Sequence, residues 1–166
     1  VKAAGVCLAI ILALAVQTTV APFVFSGRGH IDLVLVVVVY AALQFGPATG
    51  LLTGAFAGMA QDALSGGVIG VGGVSKTIVG FLVGVIGSQF IVANAVQRFV
   101  VLLMGAALHA VLYVGLYAVI DKHGLTLSWR AAWPQVALTA GIGIILIQTA
   151  QAIPGFMMRR RLRRGY

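Results

Sequence analysis

The sequence predicts an all-α fold, a polytopic transmembrane helical bundle of six spans. Three observations carry that reading. Hydrophobic residues make up 61% of the 166 residues and charged residues 8%, where a typical globular domain carries about 25% charge. Mean hydropathy is +1.09. The three acids are Asp32, Asp62 and Asp121, with no Glu, too few to solvate the surface of a soluble domain. Together they exclude a soluble enzyme, a coiled coil and a disordered tail.

The spans follow in order. Residues 3–25 make the first, with Pro22 near its end. The run is too long for a signal-peptide core, and no clear small-x-small cleavage site follows it. Residues 31–45 are apolar but short. At 1.5 Å per residue they reach about 22 Å, against about 30 Å of hydrocarbon. Gly46-Pro47 then pairs a helix stop with a helix start, and residues 47–64 make a third segment. One kinked helix over 31–64 would run about 51 Å, too long for a bilayer without strong tilt, so a tight hairpin at Gly46-Pro47 is preferred. A five-span count stays open. Residues 74–93, 97–120 and 132–154 complete six.

Charge orients the bundle. With six spans, Lys2, Arg98 and the five arginines Arg159, Arg160, Arg161, Arg163 and Arg164 share one side, against Arg28, Lys122 and Arg130 on the other. Seven against three puts both termini in the cytoplasm by the positive-inside rule. With five spans Lys2 and Arg28 exchange sides, so charge fixes the C-terminus alone. Either way the 65–73 and 121–131 loops face outward. Trp129 and Trp133 flank the outer end of the last span, where interfacial anchors belong. The expected organisation is one integral membrane domain over 1–158 and a basic cytoplasmic tail over 159–166. That tail suits anionic lipid headgroups or an acidic partner, and its location argues against nucleic acid as the target of the +8 formal charge.

The third segment carries the densest pattern. Gly46, Gly50, Gly54, Gly58 and Asp62 recur every fourth residue. Four residues turn 400°, so the row drifts only about 40° per step and forms one stripe. Small residues in such a row let membrane helices approach closely. The stripe reads either as packing within this chain or as a groove for a partner's helix. In the second case Gly54→Leu or Gly58→Leu abolishes partner binding and spares the fold. Asp62 ends the stripe beside a Ser65-Gly66-Gly67 turn. Lys76 lies a few residues beyond the turn on the next helix, at similar depth, so the two could pair. The alternatives for Asp62 are a capping network that fixes the hairpin, a contact with an extracytoplasmic partner, or ion coupling. The glycines of 66–73 lack a GK[ST] ending and a preceding strand, which excludes a phosphate loop.

Gly105, His109, Tyr113 and Tyr117 form a second four-spaced row. His109 reads as a hydrogen-bonded packing residue, or with Tyr113 and Gln89 as the lining of an internal cavity. No second ligand stands at metal spacing on that helix. Gln17, Gln61, Gln148 and Gln151 suit hydrogen bonds between helices. Asp32 and Asp121 fall in or beside loops. Cys7 is the single cysteine, so no internal disulfide forms. No catalytic constellation is present, and no cofactor or metal is expected.

The stretch GPATGLLTGAFAGMAQDALSGGVIGVGG, running on to Gly80-Phe81, resembles the MreD family of rod shape-determining proteins. The shared pattern is a short apolar helix ending at Gly-Pro, a glycine ladder, an aspartate, a small-residue turn and a glycine-punctuated helix. Chain length, helix count and the basic C-terminus fit as well. Ser75-Lys76 departs from the pattern, where an apolar or small residue is expected. The resemblance implies a non-enzymatic scaffold of the bacterial elongation machinery in the inner membrane. Its expected partners are MreC, RodA with its class B penicillin-binding transpeptidase, and MreB. It also implies a fold like the substrate-binding subunit of energy-coupling-factor transporters. The competing function is that of such a vitamin-binding subunit, with a polar cavity drawn from His109, Tyr113, Asp62, Lys76 and Gln89.

Overall fold

The computed structural model describes residues 2–19, 31–66, 68–90, 92, 94–120 and 133–149. These form six helices and no strand: α1 (Lys2–Thr19), α2 (Leu33–Phe45), α3 (Pro47–Ser65), α4 (Val71–Gln89), α5 (Ala95–Ile120) and α6 (Trp133–Thr149). Where the expected ends fall on described residues, the helices agree with them to within a few residues; residues 20–25 and 150–154, where the first and last spans were expected to end, lie outside the described residues. The main shift is in α4, which starts and ends earlier than 74–93. By length and composition α4 and α5 can cross a membrane, with mean hydropathies of 1.6 and 2.3. The apolar runs Ala4–Thr19, Leu33–Phe45 and Trp133–Thr149 are shorter.

The shortness of α2 has a physical reason: it is the interior helix. No residue from Ile31 to Leu43 is exposed. One side, Val34 and Val38, packs with Ala13 of α1 and Ala57 of α3. The other, Leu35, Val36, Val39 and Ala42, packs with Val79 and Val83 of α4, Leu102 and Ala106 of α5, and Val136 and Ile147 of α6. A helix apolar on every face belongs inside a bundle. Its run of valines has modest intrinsic helix propensity, so packing on both sides holds it helical.

The chain reverses at Gly46, whose φ of 89° needs a residue without a Cβ, and Pro47 opens α3 at its first turn. A Cβ on Gly80 would meet both Val38 of α2 and the carbonyl of Gly50 in α3. Twelve residues of continuous helix would hold those two positions about 18 Å apart. They converge on one point, so α2 and α3 form a hairpin and the single-helix alternative is excluded.

α3 and α4 then pair antiparallel in backbone contact. A Cβ on Gly58 would collide with Gly72 and Gly73, one on Gly54 with the backbone of Lys76 and Thr77, and one on Gly50 with Gly80. Pro47 meets Gly84 the same way. Each turn of α3 thus finds one turn of α4, and the glycine stripe is filled by this chain's own helix. The Gly46 carbonyl carbon also borders the Cβ position of Gly84, but a Cβ on Gly46 itself would meet nothing within 4 Å, so packing does not require its missing side chain. Its role is the turn.

Gly54→Leu is expected to break the α3–α4 seam, costing about 1–3 kcal/mol or more and lowering the melting temperature in detergent. Gly115→Leu, where a Cβ meets nothing within 4 Å, should leave it unchanged. A partner groove on the stripe would show the opposite result for Gly54→Leu, a normal melt with lost binding.

Candidate functional site

Two aspartates organise the polar interior, each satisfying the amides at the start of a helix. Every helix begins with four N–H groups that its own turns cannot satisfy. In α2 all four are met. The backbone N–H of Asp32 donates to Thr139 Oγ1 of α6 at 3.1 Å. Those of Leu33 and Val34 donate to Gln17 Oε1 of α1, at 3.1 and 3.4 Å. That of Leu35 donates to Asp32 Oδ1 at 2.9 Å. The other carboxylate oxygen, Oδ2, turns to Lys76 Nζ of α4 at 2.7 Å and stands 3.3 Å from His109 Nε2 of α5. Lys76 Nζ and His109 Nε2 are 3.4 Å apart.

All three side chains are buried, Asp32 at 3%, Lys76 at 2% and His109 at 5% exposure. Isolated charges at such depth are very costly. Here the formal charges of Asp32 and Lys76 cancel, and the positive end of α2 adds to the field that holds the carboxylate. Nε2 of His109 serves either as acceptor from Lys76 or as donor to Asp32, depending on the tautomer. Its Nδ1 is buried and has no hydrogen-bond partner among the described residues. The cluster joins α2, α4 and α5 directly, and α1 and α6 through the caps. It ties the helices together through a buried ion pair.

Lys76 therefore does not pair with Asp62, contrary to the expectation from their depth. Asp62 takes the capping role. Its Oδ2 accepts from the backbone N–H groups of Gly70, Gly72 and Gly73 at 2.9, 2.9 and 3.1 Å. Gly70 caps α4 without a side chain, so the carboxylate from α3 supplies the missing acceptor. Gly72 must lack a Cβ for that carboxylate to approach, since a Cβ there would collide with Asp62 Oδ1. Gly66 ends α3 in the left-handed region at φ 65°. The hydroxyl of Tyr117 accepts from Val68 N at 3.0 Å, which fastens the turn to α5.

The remaining expected positions divide. His109, Tyr113 and Tyr117 do share a face, with ring centroids 5.6 and 4.9 Å apart in succession. Gln89 does not join them. It is exposed at the far end of α4, about 20 Å along the helix from Lys76. Ser65 is exposed at the end of α3. Gly67 and the arginines Arg159, Arg160, Arg161, Arg163 and Arg164 lie outside the described residues. No group of three metal-ligating side chains occurs among the described residues. Sequence reasoning missed Asp32 and Thr139. The signal for Asp32 was present: an aspartate immediately before an apolar run is a helix N-cap.

The family model of rod shape-determining protein MreD matches residues 2–151. The chain belongs to the MreD family. MreD proteins are membrane proteins of the cell-shape system, which agrees with two helices able to span a bilayer. No curated protein and no solved structure matches the chain.

Removing one partner of the ion pair should cost more than removing both. Asp32→Asn is expected to destabilise by about 3–5 kcal/mol, because it strands a buried ammonium. Asp32→Asn with Lys76→Met should lose clearly less than the sum of the two single changes. A double-mutant cycle on unfolding in mixed micelles measures this, and additive losses would mean the pair is not coupled. Separately, Tyr117→Phe should speed amide exchange at Val68 and leave exchange in the core of α2 unchanged.

Proposed function

We propose that this MreD-family protein is a non-enzymatic scaffold of the elongation machinery, holding MreC and linking it to RodA and its transpeptidase, with MreB on the cytoplasmic side. The family match over residues 2–151 carries the cell-shape role. Both termini face the cytoplasm in this reading, and the basic tail 159–166 meets anionic lipid there.

In this reading the partner surface lies outside the α3–α4 seam. The glycine stripe of α3 is covered by α4. The turn between α3 and α4 is a better candidate. Val68 and Ile69 are exposed at its tip, Ile69 at 69%. Asp62 and Tyr117 hold the turn's backbone from below. A fixed apolar tip loses little entropy on binding, and the topology above turns it outward, toward the side on which MreC carries its extracytoplasmic domain. Lys76, His109 and Asp62, the polar residues a vitamin pocket would draw on, are engaged with Asp32 and with backbone amides, so no observation favours that alternative.

Ile69→Asp with Val68→Ser should abolish co-purification of MreC from native membranes, and cells relying on this variant should round up. Its melting temperature should match wild type, because neither side chain is buried. Normal recovery of MreC would move the interface elsewhere. Recovery of a coupling subunit with its ATPases instead would refute the scaffold role.

A further inference from the structure

We propose that the groove between the end of α4 and the start of α5 holds an acyl chain of an anionic phospholipid, with the headgroup against Arg98. The groove encloses about 390 Å³ and is walled by Ile86, Phe90, Val92, Val96, Val100 and Val101. Its floor is continuous with the core, since Val101 is buried and Ile86 and Val92 pack on the central cluster. Its rim is open, with Phe90, Val96 and Val100 exposed. Gln97 is the one polar residue of the lining, and its side-chain oxygen accepts from the backbone of Asn94 at 3.2 Å. The interior thus offers hydrocarbon contacts, which selects an apolar chain.

Charge selects the headgroup. Between Lys76 and Asp121 the sequence carries one formally charged side chain, Arg98. Its Nε donates to the carbonyl of Val92 at 3.4 Å, which ties the guanidinium stem to the groove wall. A guanidinium presents five donors in a fork that matches phosphate, so it can engage phosphate beside the partners it already has. The turn lies on the side that the arginine distribution assigns to the cytoplasm, where anionic lipids concentrate. The inference rests on that membrane placement and is independent of MreC binding.

Native mass spectrometry of the intact protein in mild detergent tests it, with phosphatidylglycerol and phosphatidylcholine added in equal amounts. Wild type should retain phosphatidylglycerol preferentially. Arg98→Gln should lower that retention about fivefold and leave phosphatidylcholine unchanged. Val100→Trp, which fills the groove, should lower retention of both, and Val96→Trp serves in its place if the first variant melts early. Val111→Trp, exposed on α5 about 16 Å along the helix from Val100 and outside the groove lining, should change nothing. Equal loss with Val111→Trp would reduce the effect to general lipid coating and overturn the proposal. So would an unchanged lipid ratio in Arg98→Gln, competition by inorganic phosphate alone, or a stoichiometric polypeptide in the groove of protein from native membranes.

Discussion

The bundle depends on burying the beginning of a helix. α2 starts inside the protein, so four backbone N–H groups and a carboxylate must be satisfied away from water. In an apolar surround each unmet group costs several kcal/mol. The solution gathers one side chain from nearly every neighbour: Gln17 from α1, Lys76 from α4, His109 from α5 and Thr139 from α6. Once α2 is placed, these partners have little freedom left. The requirement thus sets the relative depth of five helices.

The second constraint is the backbone contact of α3 and α4. Interlocked glycines bring the two helices together without intervening side chains. Apolar burial drives association poorly in lipid, where packing and hydrogen bonds take over. The seam and the polar cluster therefore do complementary work. The seam fixes α4 along its length, and that register carries Lys76 to the height of Asp32. Lys76 touches Gly54 through its backbone and Asp32 through its side chain, so both constraints meet in one residue.

What could be read from the sequence was local. The glycine row, the stop at Gly46-Pro47 and the Asp62 turn all rest on spacings within one or two helical turns, and the family resemblance grew from the same stretch. The polar cluster was not legible in this way. Asp32 and Thr139 are 107 residues apart, and no periodicity links them. Depth allows Lys76 to pair with Asp62, the nearer aspartate in sequence, because depth alone cannot distinguish two acids on different helices. The short α2 looked like a weak span, since one chain does not show whether an apolar helix faces lipid or neighbours. The arginine tail was plain in the sequence but lies outside the described residues.

The ion pair also bears on how the chain enters the membrane. A lysine near the middle of a helix raises the free energy of entering the bilayer by about 2.5–3.5 kcal/mol. Lys76, in the second turn of α4, carries part of that cost, and its counter-charge is held by a helix synthesised earlier. Asp32, on a helix whose first amides Gln17 already satisfies, is thus available as counter-charge when α4 emerges from the ribosome. Because Asp32 precedes Lys76 in the chain and His109 and Thr139 follow it, the cluster can be completed stepwise as the chain lengthens.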